Sequence, residues 1–163
     1  MTTTDTNVEI PVRLDFDNVA ATFSKAMAHL DHAAKKELDR VDFDPLLREL
    51  VRIRASQING CAYCIDMHTK DARALGETEQ RIYALTAWRD TPFFNARERA
   101  ALAFTESVTL LAQDHVPQEA YDAVAVELSP DEIGALVSLI VAINAWNAIG
   151  VATHAWPPGS YER

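Results

Sequence analysis

Four residues carry the chemistry open to this chain: Glu49, Cys61, Cys64 and His68. The two cysteines stand three apart, so their sulfurs can close a disulfide within one helical turn. At a helix start, unpaired N–H groups carry partial positive charge and favour a thiolate over a thiol. One cysteine can then attack an oxidant while the other resolves the product, and spacing alone does not say which does which. His68 is four residues beyond Cys64. There it can accept a proton from a thiol or return one to a leaving oxygen. Glu49 lies in the preceding segment. If the two segments are helices packed antiparallel across Asn59-Gly60, Glu49 can orient His68 or relay a proton through water.

Each residue also has a plainer reading. A CxxC pair can be structural. A lone helix histidine is commonly just hydrogen-bonded, and Glu49 can be half of a surface ion pair with Arg48 or Arg52. Cys61, Cys64, His68 and Glu49 also offer four ligand types that zinc accepts. Structural zinc usually draws its ligands from two knuckles, and only one is present. A non-enzymatic redox sensor using the same disulfide is the other rival.

The elements that must position these residues read as helices. Over 16–38, Val19, Phe23, Met27 and Leu30 recur near the helical period, which reads as a helix. Asp44-Pro45 starts the next helix, with Asp as cap and Pro at the first helical position. Leu46, Leu50 and Ile53 line its apolar side, and Asn59-Gly60 ends it. The following helix runs from about Cys61 to Leu75, with Gly76 just beyond. On it Cys61, Cys64, Ile65, His68, Ala72 and Leu75 share one inward stripe. Further helices are expected over 79–88, capped by Thr78, and over 96–113, capped by Asn95 with Glu98. Another runs from Pro117 to about Glu127, and a long one from Ser129-Pro130 to about Thr153. Arg89 to Phe94 reads as a loop. No run alternates like a strand, so the class is all-α. Residues 1–11 read as a flexible arm and 12–163 as a single domain.

Composition narrows the partners. The chain has 163 residues and a net charge of −9. That balance argues against a nucleic-acid surface and against docking on anionic membranes. The stretch Ile133 to Thr153 has no charged residue and could span a bilayer by length. Ser138, Asn144 and Asn147 interrupt it, and no basic flank orients it, so a buried core helix is the preferred reading. Asn144 and Asn147 would then bond across a symmetry axis or satisfy local core polarity. No signal peptide is visible, which makes a cytoplasmic location the default. His29, His32, His115 and His154 show no partner and receive no role.

The stretch from Glu49 through Cys61-Ala-Tyr-Cys64 to His68 resembles the core motif of the AhpD-like alkylhydroperoxidases. These belong to the carboxymuconolactone decarboxylase superfamily. The motif is a Glu, eleven residues, CxxC, three residues and a His, and every spacing matches. Thr69 to Gly76, Ile143-Asn-Ala-Trp-Asn147 and Pro157-Pro158-Gly159 are also similar, so the resemblance covers roughly residues 40–159. It implies an AhpD-like helical bundle with a CxxC-bearing helical hairpin, assembled as a homo-oligomer, commonly a trimer or hexamer. It implies a small peroxide substrate, an external thiol or dithiol reductant, and no metal or organic cofactor. By position, Glu49 and His68 would form a proton relay, Cys64 would attack the peroxide and Cys61 would resolve. Some members carry a histidine between the cysteines, where this chain has Tyr63. True decarboxylases of the superfamily typically lack CxxC, which argues against that reaction here.

Overall fold

Side-chain caps set where the helices begin. The computed structural model describes residues 8–163, all of whose regular elements are helical. Asp44 accepts from Leu47 N at 3.0 Å and starts α3, Pro45–Asn59. It follows α1, Phe16–Val19, and α2, Ala21–Arg40. Next come α4, Ala62–Ala74, and α5, Glu79–Ala84, whose cap Thr78 accepts from Arg81 N at 3.3 Å. Asn95 and Glu98 form a reciprocal capping box for α6, Ala96–Thr109. Two shorter helices, α7 (Leu111–Asp114) and α8 (Gln118–Glu127), lead to α9, Pro130–Thr153, which opens on the Ser129–Glu132 capping box.

The long apolar helix α9 is the core helix. It packs against α2, α3, α4, α6 and α8 and buries Ile133, Leu136, Leu139 and Ile140. By length and composition it could cross a membrane, but half of its most apolar window lies inside the fold. Leu38, Phe43, Leu50, Ile53 and Leu102 complete the centre with no exposed surface. Each such side chain contributes about 1.5–3 kcal/mol of burial.

The structure corrects several expectations. The 16–38 segment breaks at Ala20, where the backbone leaves helical angles, and resumes at Ala21. Ser24 Oγ donates to Asp17 Oδ1 at 2.6 Å across the break. Of the four residues at helical spacing only Met27 is buried; Val19, at the end of α1, and Phe23 and Leu30, on α2, are exposed. Helix α2 packs on α9 and buries Met27, Ala34 and Leu38, so its apolar surface is wider than the face it buries. Leu75 is likewise exposed, because α4 has ended by then and Leu75 is its C-cap. The 79–88 helix tightens into a 3₁₀ turn over Leu85–Asp90, which takes in the first two residues of the expected loop. The 96–113 helix divides at Leu110. Of the expected arm, residues 1–7 lie outside the described residues. Residues 8–11 are exposed and non-helical, and the chain is then anchored by Arg13 N and Leu14 N donating to Thr153 O.

Asn144 and Asn147 bond within the chain. Asn59 Nδ2, at the end of α3, donates to Asn144 Oδ1 at 2.7 Å and to Asn147 Oδ1 at 3.0 Å. Asn147 Nδ2 donates to Ser56 Oγ at 3.0 Å. These bonds fix the last turn of α3 against α9, just before the cysteine pair. Local core polarity is therefore the role both asparagines have here.

Candidate active site

Gly60 turns the chain from α3 into α4 with φ of 71°, a left-handed conformation that glycine adopts without a Cβ penalty. Cys61 follows as N-cap of α4, its Sγ accepting from Cys64 N at 3.4 Å. Cys61 and Cys64 are joined as a disulfide, with Cα atoms 5.3 Å apart. Both are 2% exposed.

The α3–α4 hairpin brings Glu49 to His68 across 19 residues of sequence. Their Oε2 and Nδ1 atoms are 2.8 Å apart. The other carboxylate oxygen accepts from Arg52 Nη1, one turn along α3. All three side chains are buried. Burial by itself pushes the Glu49 carboxyl up. The hydrogen bond from His68 and the charge of Arg52 outweigh it and hold the carboxyl below its ordinary value of 4.5. Glu49 is thus an anion in the folded protein at neutral pH. A carboxylate only accepts hydrogen bonds, so Nδ1 of His68 carries a hydrogen, and in the neutral imidazole Nε2 is left as an acceptor.

The four residues read from the sequence therefore come together, and they gain a fifth. Arg52 was a rival partner for Glu49; it engages the same carboxylate as His68, and the pair is buried, not on the surface. Its signal was its position three residues after Glu49, on the same face of one helix.

A cavity of about 450 Å³ opens onto Cys64, His68 and Arg52. Its walls include Tyr63, Trp146 and Trp156, with ring centroids 5.8 Å apart for Tyr63–Trp156 and 5.6 Å for Trp146–Trp156. Burial and Asp66 push the Tyr63 hydroxyl up, so it stays protonated and can donate. Sequence reasoning did not select the aromatic residues as lining. They lie in stretches quoted for the resemblance or beside them, but only the fold folds them over the cysteine pair. Trp156 Nε1 donates to Asp17 Oδ2 at 2.9 Å, which ties the segment after α9 to α1. Tyr161, also on the wall, donates to Asp71 Oδ1 at 2.9 Å.

The zinc set of Cys61, Cys64, His68 and Glu49 is not gathered as four free ligands, because the two sulfurs are bonded to each other. Among the described residues, Glu49, His68 and Asp71 bring ligand atoms within 4.8 Å of one another. The Arg52 guanidinium on Glu49 opposes a cation there.

Comparison with known proteins agrees with this geometry. The carboxymuconolactone decarboxylase family profile matches residues 21–107. The uncharacterised Bacillus subtilis protein YdfG is 41% identical over 140 residues, covering 86% of this chain and 92% of its own. A crystal structure from Agrobacterium tumefaciens, of a protein of unknown function provisionally assigned to antioxidant defence as AhpD, is 32% identical with a TM-score of 0.84. It covers 91% of this chain and 99% of that one. An uncharacterised peroxidase-related protein from Silicibacter sp. TM1040 shares the fold at 20% identity and a TM-score of 0.69, over 96% of this chain and 97% of that one. The AhpD-like helical hairpin, its CxxC pair and these relatives place the chain in the carboxymuconolactone decarboxylase family.

Proposed function

We propose that the protein is a thiol-dependent peroxidase acting on small organic hydroperoxides, a peroxiredoxin-type oxidoreductase. One observation carries the reading. Cys64 and His68 line the same cavity, with Glu49 hydrogen-bonded behind His68 at 2.8 Å. In the reduced protein, Nε2 of His68 takes the proton of the Cys64 thiol. The thiolate attacks one peroxide oxygen and the O–O bond breaks. Cys64 becomes a sulfenic acid, and the departing alkoxide takes the proton back from His68 as an alcohol. The Cys61 thiolate then attacks the Cys64 sulfur and releases water with the proton it shed. The disulfide results, and an external thiol or dithiol resets it. Glu49 fixes the imidazole in the required tautomer, and Arg52 keeps Glu49 ionised. No metal or organic cofactor takes part in these steps.

The test is consumption of cumene hydroperoxide with dithiothreitol as reductant. Cys64→Ser is expected to abolish turnover. Wild-type turnover by that variant would end the mechanism. Reversible disulfide formation in the parent without turnover would favour a sensor.

The same reading includes a cytoplasmic location, where reducing thiols are in supply, and a homo-oligomer, trimer or hexamer. The exposed Val19 of α1 and Phe23 and Leu30 of α2 support a second copy as the partner of that surface. A monomeric mass by light scattering at micromolar concentration would refute the assembly.

A further inference from the structure

Two cavities flank the disulfide, and each is lined by one of its two cysteines. The 450 Å³ cavity is lined by Cys64 and not by Cys61. A second, slot-like cavity of about 120 Å³ is lined by Cys61 and not by Cys64. Tyr63 and Trp156 border both and form the partition. Gly60, Gly150, His154 and Pro158 line the slot together with Cys61. It exists because residue 150 has no side chain: a Cβ there would stand 3.1 Å from Cys61 Sγ and 3.7 Å from the Trp156 ring. His154 in its wall keeps a buried Nδ1 without a hydrogen-bond partner among the described residues.

We infer that this slot is the reductant site, taking a slim alkyl thiol or dithiol that attacks Cys61, while the oxidant meets Cys64 from the larger cavity. The inference rests on the peroxidase reading for its place in a cycle, but the slot and its sulfur do not depend on which oxidant is used. Thiol–disulfide exchange needs the nucleophile in line with the S–S bond, on the far side of the sulfur attacked. From the slot that sulfur is Cys61. At about 120 Å³ the slot is well below the ~300 Å³ of an ordinary ligand pocket, so it admits an arm and excludes a bulky molecule.

The exchange balances. A thiolate R–S⁻ bonds to Cys61 Sγ, the Cys61–Cys64 bond breaks, and Cys64 leaves with the electron pair. A second thiolate, from the same dithiol or another thiol, attacks the R sulfur and frees Cys61 as thiolate. Two electrons pass from the thiols to the protein, and the two protons they shed end on Cys61 and Cys64. The leaving Cys64 thiolate is released into the cavity that holds His68, where it is the nucleophile for the next oxidant.

Oxidised protein is mixed with 2-mercaptoethanol, quenched in acid within the first turnover, alkylated and mapped by tandem mass spectrometry. The expected product carries mercaptoethanol on Cys61 and the alkyl group on Cys64, in at least tenfold excess over the reverse. The reverse distribution, or an even one, overturns the assignment. No peroxide is present, so a protein that never turns over peroxide can still give the Cys61 adduct; the proposed function would then fail and the slot would stand. Gly150→Ala fills the slot floor and is expected to slow reduction by 2-mercaptoethanol at least tenfold. Alkylation of Cys64 by iodoacetamide in the reduced variant, reached from the larger cavity, reports that this side is intact. Should Gly150→Ala not fold, Val151→Trp at the exposed rim serves the same purpose. Reduction at the parent rate in a folded variant overturns the proposal.

Discussion

Replacing Glu49 by Gln keeps the shape of the side chain and removes its charge, which separates two jobs that one carboxylate performs. It anchors His68 through Oε2 at 2.8 Å and neutralises Arg52 through Oε1. Arg52 is 7% exposed and has no other ion-pair partner among the described residues. Leaving that guanidinium buried and unpaired is expected to cost about 2–4 kcal/mol, below the deepest cases because the large cavity brings water near. For a chain of this length that lowers Tm by about 5–15 °C. The folded-state pKa of Glu49 is depressed, so its stabilising contribution is complete above 4.5 and is lost as pH falls through the lower folded value. The gap between parent and variant should therefore narrow in acid, below about 4.5. The effect on turnover is independent of stability. With Gln, the amide NH₂ can face Nδ1 and favour the wrong tautomer, and peroxide consumption should fall about 10²–10⁴-fold. Glu49→Gln combined with Arg52→Met removes both charges. It should recover most of the Tm while turnover stays low. Thermal melts, and hydroperoxide consumption at a temperature where every variant is folded, give both readouts. Turnover within twofold of the parent in Glu49→Gln, with Cys64→Ser inactive, would refute the relay.

Asn147 is fully buried and bonds to both Asn59 and Ser56. Asn147→Ala should cost about 2–3 kcal/mol in urea denaturation, because it removes packing and leaves Ser56 Oγ without its donor; an unchanged midpoint would show that the α3–α9 clamp is idle. Glu132 is held at about 2, mainly by the Arg97 hydrogen bond and then by Ser129 N. After screening by solvent this gives about 1–2 kcal/mol, complete above 4.5 and lost as pH falls towards 2. Glu132→Gln should thus be less stable than the parent at pH 7 by that amount and equal to it near pH 2, as read by denaturant titration at each pH.

What the sequence disclosed divides by range. Helix starts are local, and Asp44-Pro45, Asn95 with Glu98 and Ser129 with Glu132 each cap as read, because donor and acceptor lie three residues apart. The pairing of Glu49 with His68 was legible for a related reason. Both flank one short turn, so a hairpin is the only antiparallel arrangement open to them. Periodicity was weaker evidence. It located apolar residues at helical spacing over α1 and α2 but not what would cover them, and Val19, Phe23 and Leu30 are exposed while Met27 is not. A stripe states that a face can be buried; the neighbouring helix decides how much of it is.

The division of the disulfide between two cavities was out of reach for a stronger reason. It depends on residues from three distant parts of the chain meeting at two sulfurs. Gly150 reads in sequence as one more small residue in an apolar helix. Its meaning comes from Cys61 lying 3.1 Å from where a Cβ would be, a contact across 89 positions that no local pattern encodes. Trp156 reads as the end of regular structure before two prolines, yet it separates the two cavities because Asp17 holds its indole. The sequence thus carries the reacting atoms in one compact motif and scatters the residues that decide who reaches them. In a CxxC cycle the oxidant meets the dithiol and the reductant meets the disulfide, so the two half-reactions can each be directed to a different sulfur. Here α9 and the segment after it place Gly150 against Cys61 and Trp156 between the two cavities, which would direct each half-reaction to its own cysteine.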